Sequence, residues 1–296
     1  MLLDDGQISA QLTPQAAVAA DTGRMQVSVA AAQVPVCWSV PRNLATIVAA
    51  IGSVAAGTLL ILPEAALSGY DDQLSGLDGL VPGELAQARD AIGDASRRNG
   101  VHVLYGSLLF EHERWWNVAL YCSPAGESWA YRKVNLAMHE RGRLSAGSAL
   151  PTFRITLRAG DVQVGIQLCR EIRFPEQWHC LARQGAQLLS YLTYAVNPAE
   201  PPGVWRAHLI SRAAETQRFV LAANVAGQGQ HCPTMIVSPR GRVLAEAPPG
   251  ATTTLRATLD LAGTRDAYLR QQRNDVVSIG YPAGTDGEAP APHTDA

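Results

Sequence analysis

The stretch VQVGIQLCREIRFPE, residues 162–176, combines an apolar run with a cysteine at its end and a proline soon after. Its first half is mostly apolar and predicts a buried strand that ends at Cys169, while Pro175 predicts the start of a helix soon afterwards. A buried strand followed closely by a helix is the repeating unit of α/β proteins. Ligands in such proteins bind at strand ends, because rigid strands aim side chains while the neighbouring loops leave access. We therefore expect Cys169 to lie at a functional edge of a sheet.

The same pattern continues on both sides of this stretch, where strands and helices alternate. We predict strands at 26–34, 58–62, 101–109, 116–122, 127–132, 153–157, 162–168, 187–193, 219–224, 234–238, 242–247 and 252–259, and helices at 41–56, 84–99, 175–185, 203–217 and 264–272. About twelve strands are too many for one simple doubly wound sheet. The sequence therefore predicts one α/β domain of four layers, in which two sheets pack together with helices outside.

The two ends of the chain differ in composition from the middle. Residues 1–24 are polar and Ala-rich without periodicity, and the tail 280–296 is rich in Pro, Gly, Asp and Thr. We expect a disordered leader and a disordered tail around a folded domain at 25–279. The uncharged run 44–62 is long enough to span a bilayer, but its apolar residues form a helical stripe. We expect Gly57 to end this helix before a buried strand, and we expect no membrane span.

Composition and cysteine spacing exclude several classes of protein. Hydrophobic residues make up 47% and charged residues 17% of the chain, the formal net charge is −2, and no basic stripe points to a nucleic-acid partner. No G-x-G-x-x-G, P-loop or H-E-x-x-H pattern is present, so we expect no nucleotide cofactor and no metal. An odd number of scattered cysteines argues against a disulfide framework and suits the cytoplasm; they are Cys37, Cys122, Cys169, Cys180 and Cys232.

Two further segments resemble the first in design, since each is a strand that ends on a reactive side chain. Glu64 follows the strand in TLLILPEAALSGY, and Lys133 ends the strand in ESWAYRKVNL. A thiol is mostly protonated at neutral pH and needs a base, which Glu64 can supply. Lys133 and the backbone N–H of Arg170 can stabilise the oxyanion that an attacking Cys169 would create. We also expect the helix after Cys169 to favour the thiolate.

Each of these three residues also has an ordinary structural interpretation. A buried cysteine is usually a small core residue, and a Glu after Pro is often a charge at a helix N-terminus. A Lys after an aromatic strand usually faces solvent. Spacing alone does not bring the three together, so the residues by themselves predict no more than a cysteine hydrolase.

Three motifs add a resemblance to a known family. The segments LPEAALSGY (62–70), YRKVNLAMHERGRLSAGS (131–148) and GIQLCREIRFPE (165–176) resemble the nitrilase superfamily of carbon–nitrogen hydrolases, in the same order and at typical separations. The resemblance implies a four-layer αββα sandwich of two mixed sheets flanked by helices. It also implies that the protein forms a homodimer of eight layers, or a higher assembly of dimers, and needs neither a metal nor an organic cofactor.

The resemblance also implies roles for particular residues. Glu64, Lys133 and Cys169 correspond to the catalytic triad of the family. Glu140 corresponds to a second glutamate that orients Lys133 or the substrate. The alternative for Glu140 is an exposed loop acid paired with an arginine of the same loop.

Two departures from the family pattern bear on the substrate. The segment from the nucleophile to Glu176 looks like the aliphatic and ω-amidase branch, but Arg170 replaces a more common Tyr. This cation could bind a substrate carboxylate, or it could pair with Glu171 or Glu176, and we favour the pairing slightly. Residues 192–195 replace a Pro-Ala-Ala-aromatic segment, which alters the pocket wall and makes Tyr194 a second candidate for contact with the substrate or oxyanion.

We expect a cysteine-dependent amidase that acts on a small non-peptide amide and releases ammonia or an amine. The alternatives are an N-carbamoyl-amino-acid hydrolase and a nitrilase. A binding protein that retains the fold without turnover is disfavoured, because all three members of the triad are present.

Overall fold

The computed structural model describes residues 25–201, 203–273 and 275–277, and its strands form two six-stranded sheets. The first sheet has the order β12-β1-β2-β3-β4-β5, with β1–β2–β3 parallel and the other pairs antiparallel. Its strands are β1 (Gln26–Gln33), β2 (Leu59–Ile61), β3 (His102–Glu111), β4 (Arg114–Cys122), β5 (Ser128–Arg132) and β12 (Thr253–Asp260). The sheet is therefore mixed.

The second sheet repeats this arrangement. Its order is β11-β10-β9-β8-β7-β6, with β7–β8–β9 parallel and the outer pairs antiparallel. Its strands are β6 (Thr152–Leu157), β7 (Gly160–Leu168), β8 (Leu188–Thr193), β9 (Phe219–Asn224), β10 (Met235–Val237) and β11 (Val243–Glu246). All twelve predicted strands are present, with ends that move by at most a few residues.

Helices cover the outer face of each sheet. The first sheet carries α1 (Val40–Gly52) and α2 (Pro82–Asn99), and the second carries α3 (Pro175–Arg183) and α4 (Val204–Thr216), against which α5 (Ala267–Gln271) packs. The two sheets face each other, since β1 packs on β9 and β4 on β7. The αββα sandwich of two mixed sheets is confirmed.

Apolar side chains from both sheets and from the second helical layer form one continuous core. Val29 and Ile61 of the first sheet and Ile166 and Leu221 of the second belong to it, and each is at most 1% exposed. Full burial of one such side chain stabilises the fold by about 1.5–3 kcal/mol. This core holds the two sheets in fixed relation, which in turn fixes the strand ends where β2, β5 and β7 stop.

The first helix ends earlier than the sequence predicts. It stops at Gly52 rather than at residue 56, and the Ser53 N–H contacts the carbonyls of Ala50 and Ile51 as a cap. Gly57 instead takes a φ of +82° in the turn that leads into β2. The poor helix propensity of Gly52 explains the earlier end. No helix in the described ranges is long and apolar enough to cross a membrane, and the expected leader 1–24 and tail 280–296 lie outside those ranges.

Candidate active site

Three strand ends bring the reactive side chains to one place. Glu64 follows β2, Lys133 follows β5 directly, and Cys169 follows β7 directly. The close approach needs glycine at Gly106 of β3, where a β-carbon would lie 2.4 Å from the Cα of Glu64. Cys169 has a φ of +40°, in the left-handed region that L-residues rarely adopt. Such strain collects at functional sites, because surrounding structure must hold it in place.

A buried ion cluster forms the base of the site. The Nζ atom of Lys133 lies 2.9 Å from Glu64 Oε1 and 2.9 Å from Glu140 Oε2. All three side chains are fully buried. Lys133 is also the only lysine among 24 basic residues of the chain. The solvent-facing alternative for Lys133 therefore does not hold.

Glu140 is held from several sides and is not an exposed loop acid. Its Oε1 atom accepts hydrogen bonds from Tyr70 Oη at 2.8 Å and from Asn117 Nδ2 at 2.6 Å, and its Oε2 atom accepts from the Ala137 N–H at 2.6 Å. The same Asn117 Nδ2 donates to Glu64 Oε1 at 2.8 Å. One amide thus links the two carboxylates that flank the ammonium.

Electrostatics keep this cluster charged. Burial disfavours the charged ammonium of Lys133, but the carboxylates of Glu140 and Glu64 outweigh it and raise the pKa of Lys133. For Glu140, burial acts in the opposite direction, and the charge of Lys133 with its hydrogen bond lowers the pKa below the ordinary value. Lys133 is therefore an ammonium and Glu140 a carboxylate at neutral pH.

Cys169 rests as a thiol. Burial raises the pKa of Cys169 to about 12, the charge of Glu64 acts in the same direction, and Lys133 opposes them. The expected stabilisation of the thiolate by the following helix is wrong for the resting enzyme. A 3₁₀ turn at Cys169–Arg173 separates the sulfur from α3, which begins only at Pro175. The thiol therefore needs a neighbouring base before it can react.

The two further candidates occupy different positions. The Tyr194 N–H donates to Glu64 Oε2 at 2.9 Å, and its ring lies 5.3 Å from the ring of Tyr70, so Tyr194 is part of the site. Arg170 is half-buried, and it makes no ion pair within the described ranges, so the favoured pairing with Glu171 or Glu176 is wrong. Glu171 cannot serve because its carboxylate is already occupied.

Glu171 connects the two halves of the site, which the sequence did not indicate. Its Oε1 accepts from Tyr131 Oη and the Val134 N–H, both at 2.8 Å, and its Oε2 accepts from the Leu168 N–H at 2.7 Å. These donors lie on either side of Lys133 and just before Cys169. Burial raises the pKa of Glu171 to about 7 against these hydrogen bonds. Glu171 thus connects the turn that begins at Cys169 to the loop that carries Lys133.

Tyr70 and Asn117 also contact the site, although neither was among the site residues predicted from the sequence. Tyr70 closes the motif around Glu64, so a signal for it was present. Asn117 is a lone amide in the apolar strand RWWNVALYC of β4, and a buried polar residue in such a strand requires partners.

A cleft of about 540 Å³ opens beside Tyr194. Asp71 and Asp72 contribute two carboxylates to its wall, and no Lys or Arg lines it among the described residues. The lining residues are Val36, Asp71, Asp72, Gln73, Tyr194, Val196, Val225, Ala226, Gly227 and Gln228. Hydrogen bonds from Ser75, Trp38 and Gln73 outweigh burial and lower the pKa of Asp71 to about 2. The cleft is therefore negatively charged at neutral pH.

Comparison with known proteins gives a consistent result. The family model for carbon–nitrogen hydrolases matches residues 28–268. An (R)-stereoselective amidase from Pseudomonas sp. is 32% identical over 69% of this chain and 74% of its own length. A 2-oxoglutaramate amidase from Bacillus subtilis is 33% identical over 64% of this chain and 73% of its own length.

Solved structures share the fold. An amidase from Nesterenkonia sp. superposes with a TM-score of 0.72 at 22% identity, over 86% of this chain and 95% of its own. A variant of the Nesterenkonia sp. AN1 amidase, with a TM-score of 0.72, 22% identity and coverage of 90% and 98%, shows covalent addition of the acetamide moiety of fluoroacetamide at its active-site cysteine. The chain therefore belongs to the carbon–nitrogen hydrolase family of the nitrilase superfamily, and the two relatives above are amidases.

Proposed function

We propose that Cys169 is the nucleophile of this amidase, that Glu64 is its base, and that Lys133 stabilises the oxyanion. The observation that carries the proposal is the buried cluster in which one ammonium joins two carboxylates, all of which act electrostatically on the Cys169 thiol. Burying these charges costs free energy and leaves them dependent on one another. Such an arrangement is typical of sites where pKa values are adjusted for catalysis.

The first half of the reaction forms a thioester. Glu64 accepts the proton of Cys169 Sγ, and the sulfur attacks the carbonyl carbon of the amide. The carbonyl oxygen becomes an oxyanion, which the Lys133 ammonium and the Arg170 backbone N–H stabilise. Protonated Glu64 then gives its proton to the leaving nitrogen, and the C–N bond breaks to release ammonia or an amine.

The second half regenerates the enzyme. Glu64 takes a proton from water, whose oxygen attacks the thioester carbon. The C–S bond breaks, the carboxylic acid leaves, and the proton returns to the sulfur. Lys133 keeps its proton throughout, because the two carboxylates raise its pKa. Glu140 and Asn117 act as positioning residues that hold Lys133 and Glu64.

The charge of the cleft narrows the substrate class. Among the described residues this wall is negatively charged and has no basic side chain, and Arg170 does not line it. The cleft therefore favours small amides that are neutral or cationic and disfavours substrates that carry a carboxylate. N-carbamoyl amino acids carry such a carboxylate. This charge, together with the amidase relatives, makes hydrolysis of N-carbamoyl amino acids or nitriles the weaker candidate.

Three broader proposals follow the family resemblance. We propose a folded domain at 25–279, a homodimer and a cytoplasmic location. All five cysteines are free, which is compatible with a reducing compartment. Sedimentation that shows only monomer would contradict the homodimer.

Ammonia release from a matched panel tests the proposed function. Propionamide, glycinamide and succinamate supply neutral, cationic and anionic amides, and N-carbamoylglycine tests the alternative. We expect turnover of the first two, little turnover of succinamate, and no release of carbon dioxide from N-carbamoylglycine. Cys169→Ala should abolish turnover, and full activity in this variant would contradict the proposal.

A further inference from the structure

Thr193 lies next to Cys169 where two parallel strands end. Leu168 of β7 pairs with Leu192 of β8, so Cys169, which follows β7, lies beside Thr193, the last residue of β8. Tyr191 points to the same face of β8 as Thr193, because side chains on a strand alternate. Its hydroxyl donates to the Cys169 carbonyl oxygen at 2.8 Å.

The residue after Thr193 contacts the proposed base. Tyr194 donates its backbone N–H to Glu64 Oε2 at 2.9 Å. Thr193 therefore stands between a contact to the backbone of the nucleophile and a contact to the residue that takes its proton. Residues 192–195 are also where the sequence departs from the Pro-Ala-Ala-aromatic segment common in the family.

The hydroxyl of Thr193 lacks a well-formed hydrogen bond. Thr193 is fully buried, and its Oγ1 atom has no hydrogen-bond partner of good geometry within the described ranges. A buried hydroxyl without a partner is unfavourable, and such groups in native proteins require an explanation. The Tyr191 hydroxyl nearby already donates to the Cys169 carbonyl.

The surroundings of the Cys169 sulfur favour the neutral thiol, so a thiolate there requires a further hydrogen-bond donor. Burial and the charge of Glu64 raise the pKa of Cys169, whereas Lys133 and the side-chain contact with Thr193 lower it. The Lys133 ammonium is shared between two carboxylates. The titratable groups that face the sulfur are Glu64, Glu140, Lys133, Tyr70, Tyr191 and Cys232.

We propose that the Thr193 hydroxyl donates a hydrogen bond to the Cys169 thiolate when Glu64 removes the thiol proton. This inference rests on Cys169 being the nucleophile proposed above. The thiol proton moves to Glu64, while Thr193 keeps its own proton and turns it toward the sulfur. A thiolate accepts a hydrogen bond more strongly than a thiol does, so this hydrogen bond contributes more to the reaction than to the resting fold.

Replacing the hydroxyl by a methyl group tests this role. Thr193→Val keeps the branched shape and removes the donor, and Thr193→Ser restores the donor. Ser190→Ala is the matched control, since Ser190 is another buried and unpartnered hydroxyl of β8 on the opposite face. Iodoacetamide, which resembles a small amide, is used to alkylate each full-length variant from pH 6 to 10, and peptide mass spectrometry measures the rate at Cys169.

A hydrogen bond to a charged atom is worth about 10- to 100-fold in rate. We expect Thr193→Val to slow alkylation throughout this pH range and to lower kcat by about that factor, with KM little changed. Thr193→Ser and Ser190→Ala should behave like the wild type. If Thr193→Val does not fold, the pair Thr193→Ala and Thr193→Ser carries the same comparison.

An unchanged alkylation rate in Thr193→Val, or an effect on KM alone, overturns the inference. A loss equal to that of Ser190→Ala also overturns it, because the hydroxyl would then have only a structural role. Cys169→Ala separates this failure from that of the proposed function. If Cys169→Ala still releases ammonia, the nucleophile itself is wrong; if it is inactive while Thr193→Val is normal, only the role of Thr193 is wrong.

Discussion

Replacing Lys133 by methionine should destabilise the protein in a way that depends on pH. Methionine fills a similar volume but leaves Glu64 and Glu140 without the ammonium that lies 2.9 Å from each. Among the described residues, the Asn117 amide would then be the only hydrogen-bond donor that contacts both carboxylates. Removing one partner of a buried ion pair costs about 3–5 kcal/mol of unfolding free energy.

The sign of the pH dependence follows from the pKa of Glu140. In the wild type its pKa is lowered, so its contribution to stability is present above its unfolded value and is lost as pH falls. In Lys133→Met, burial is no longer opposed by a positive charge and raises the pKa of Glu140. The variant then binds a proton when folded, and its stability falls as pH rises through the raised pKa. The difference from the wild type should therefore be larger at pH 8 than at pH 5.

Urea unfolding of both proteins at pH 5 and pH 8 measures this difference. Arg154→Met is the control, because Arg154 pairs with Asp161 on the surface and such pairs contribute about 0–1 kcal/mol. An equal loss of unfolding free energy at both pH values would contradict this expectation, since the ionisation of the two carboxylates would then not depend on the charge of Lys133.

Further predictions concern turnover. Glu64→Gln keeps the shape of the base but cannot accept a proton, so ammonia release should slow by about 10²–10⁴. Lys133→Met should slow it by about 10²–10³ or more, and the double variant should fall little below the worse single one; additive losses would show independent action. Asn117→Ala should lower kcat by about 10- to 100-fold, because Glu64 and Glu140 lose the amide that positions them. Circular dichroism should show that the fold is retained. Alanine at each cysteine other than Cys169 should leave turnover intact, and loss in any of them would argue for a different nucleophile.

The strands and outer helices were predictable because their signals are local. The apolar run before Cys169 becomes β7, and Pro175 begins α3 as its fixed φ and missing N–H favour. The end of α1 was less predictable, since two glycines and a serine compete within six residues and only the packed structure decides between Gly52 and Gly57. Helix ends are set by weak local preferences that tertiary contacts override.

The contacts inside the site could not be predicted from spacing. Asn117 reaches Glu64 across 53 positions of the chain, and Glu171 reaches Tyr131 across 40. Such contacts depend on how the two sheets stack. The resemblance supplied the triad and Glu140, but it could not show that Arg170 lacks an acidic partner within the described ranges or that Asn117 joins the two glutamates.

The proposed mechanism requires hydrolysis to pass through a thioester on Cys169. Rapid quenching of the enzyme with a slowly hydrolysed amide, followed by peptide mass spectrometry, detects this intermediate. We predict an added acyl mass on the peptide that contains Cys169, which forms at least about 100-fold more slowly in Glu64→Gln. An acyl adduct on another cysteine, or equal rates of formation in the two proteins, would contradict the account.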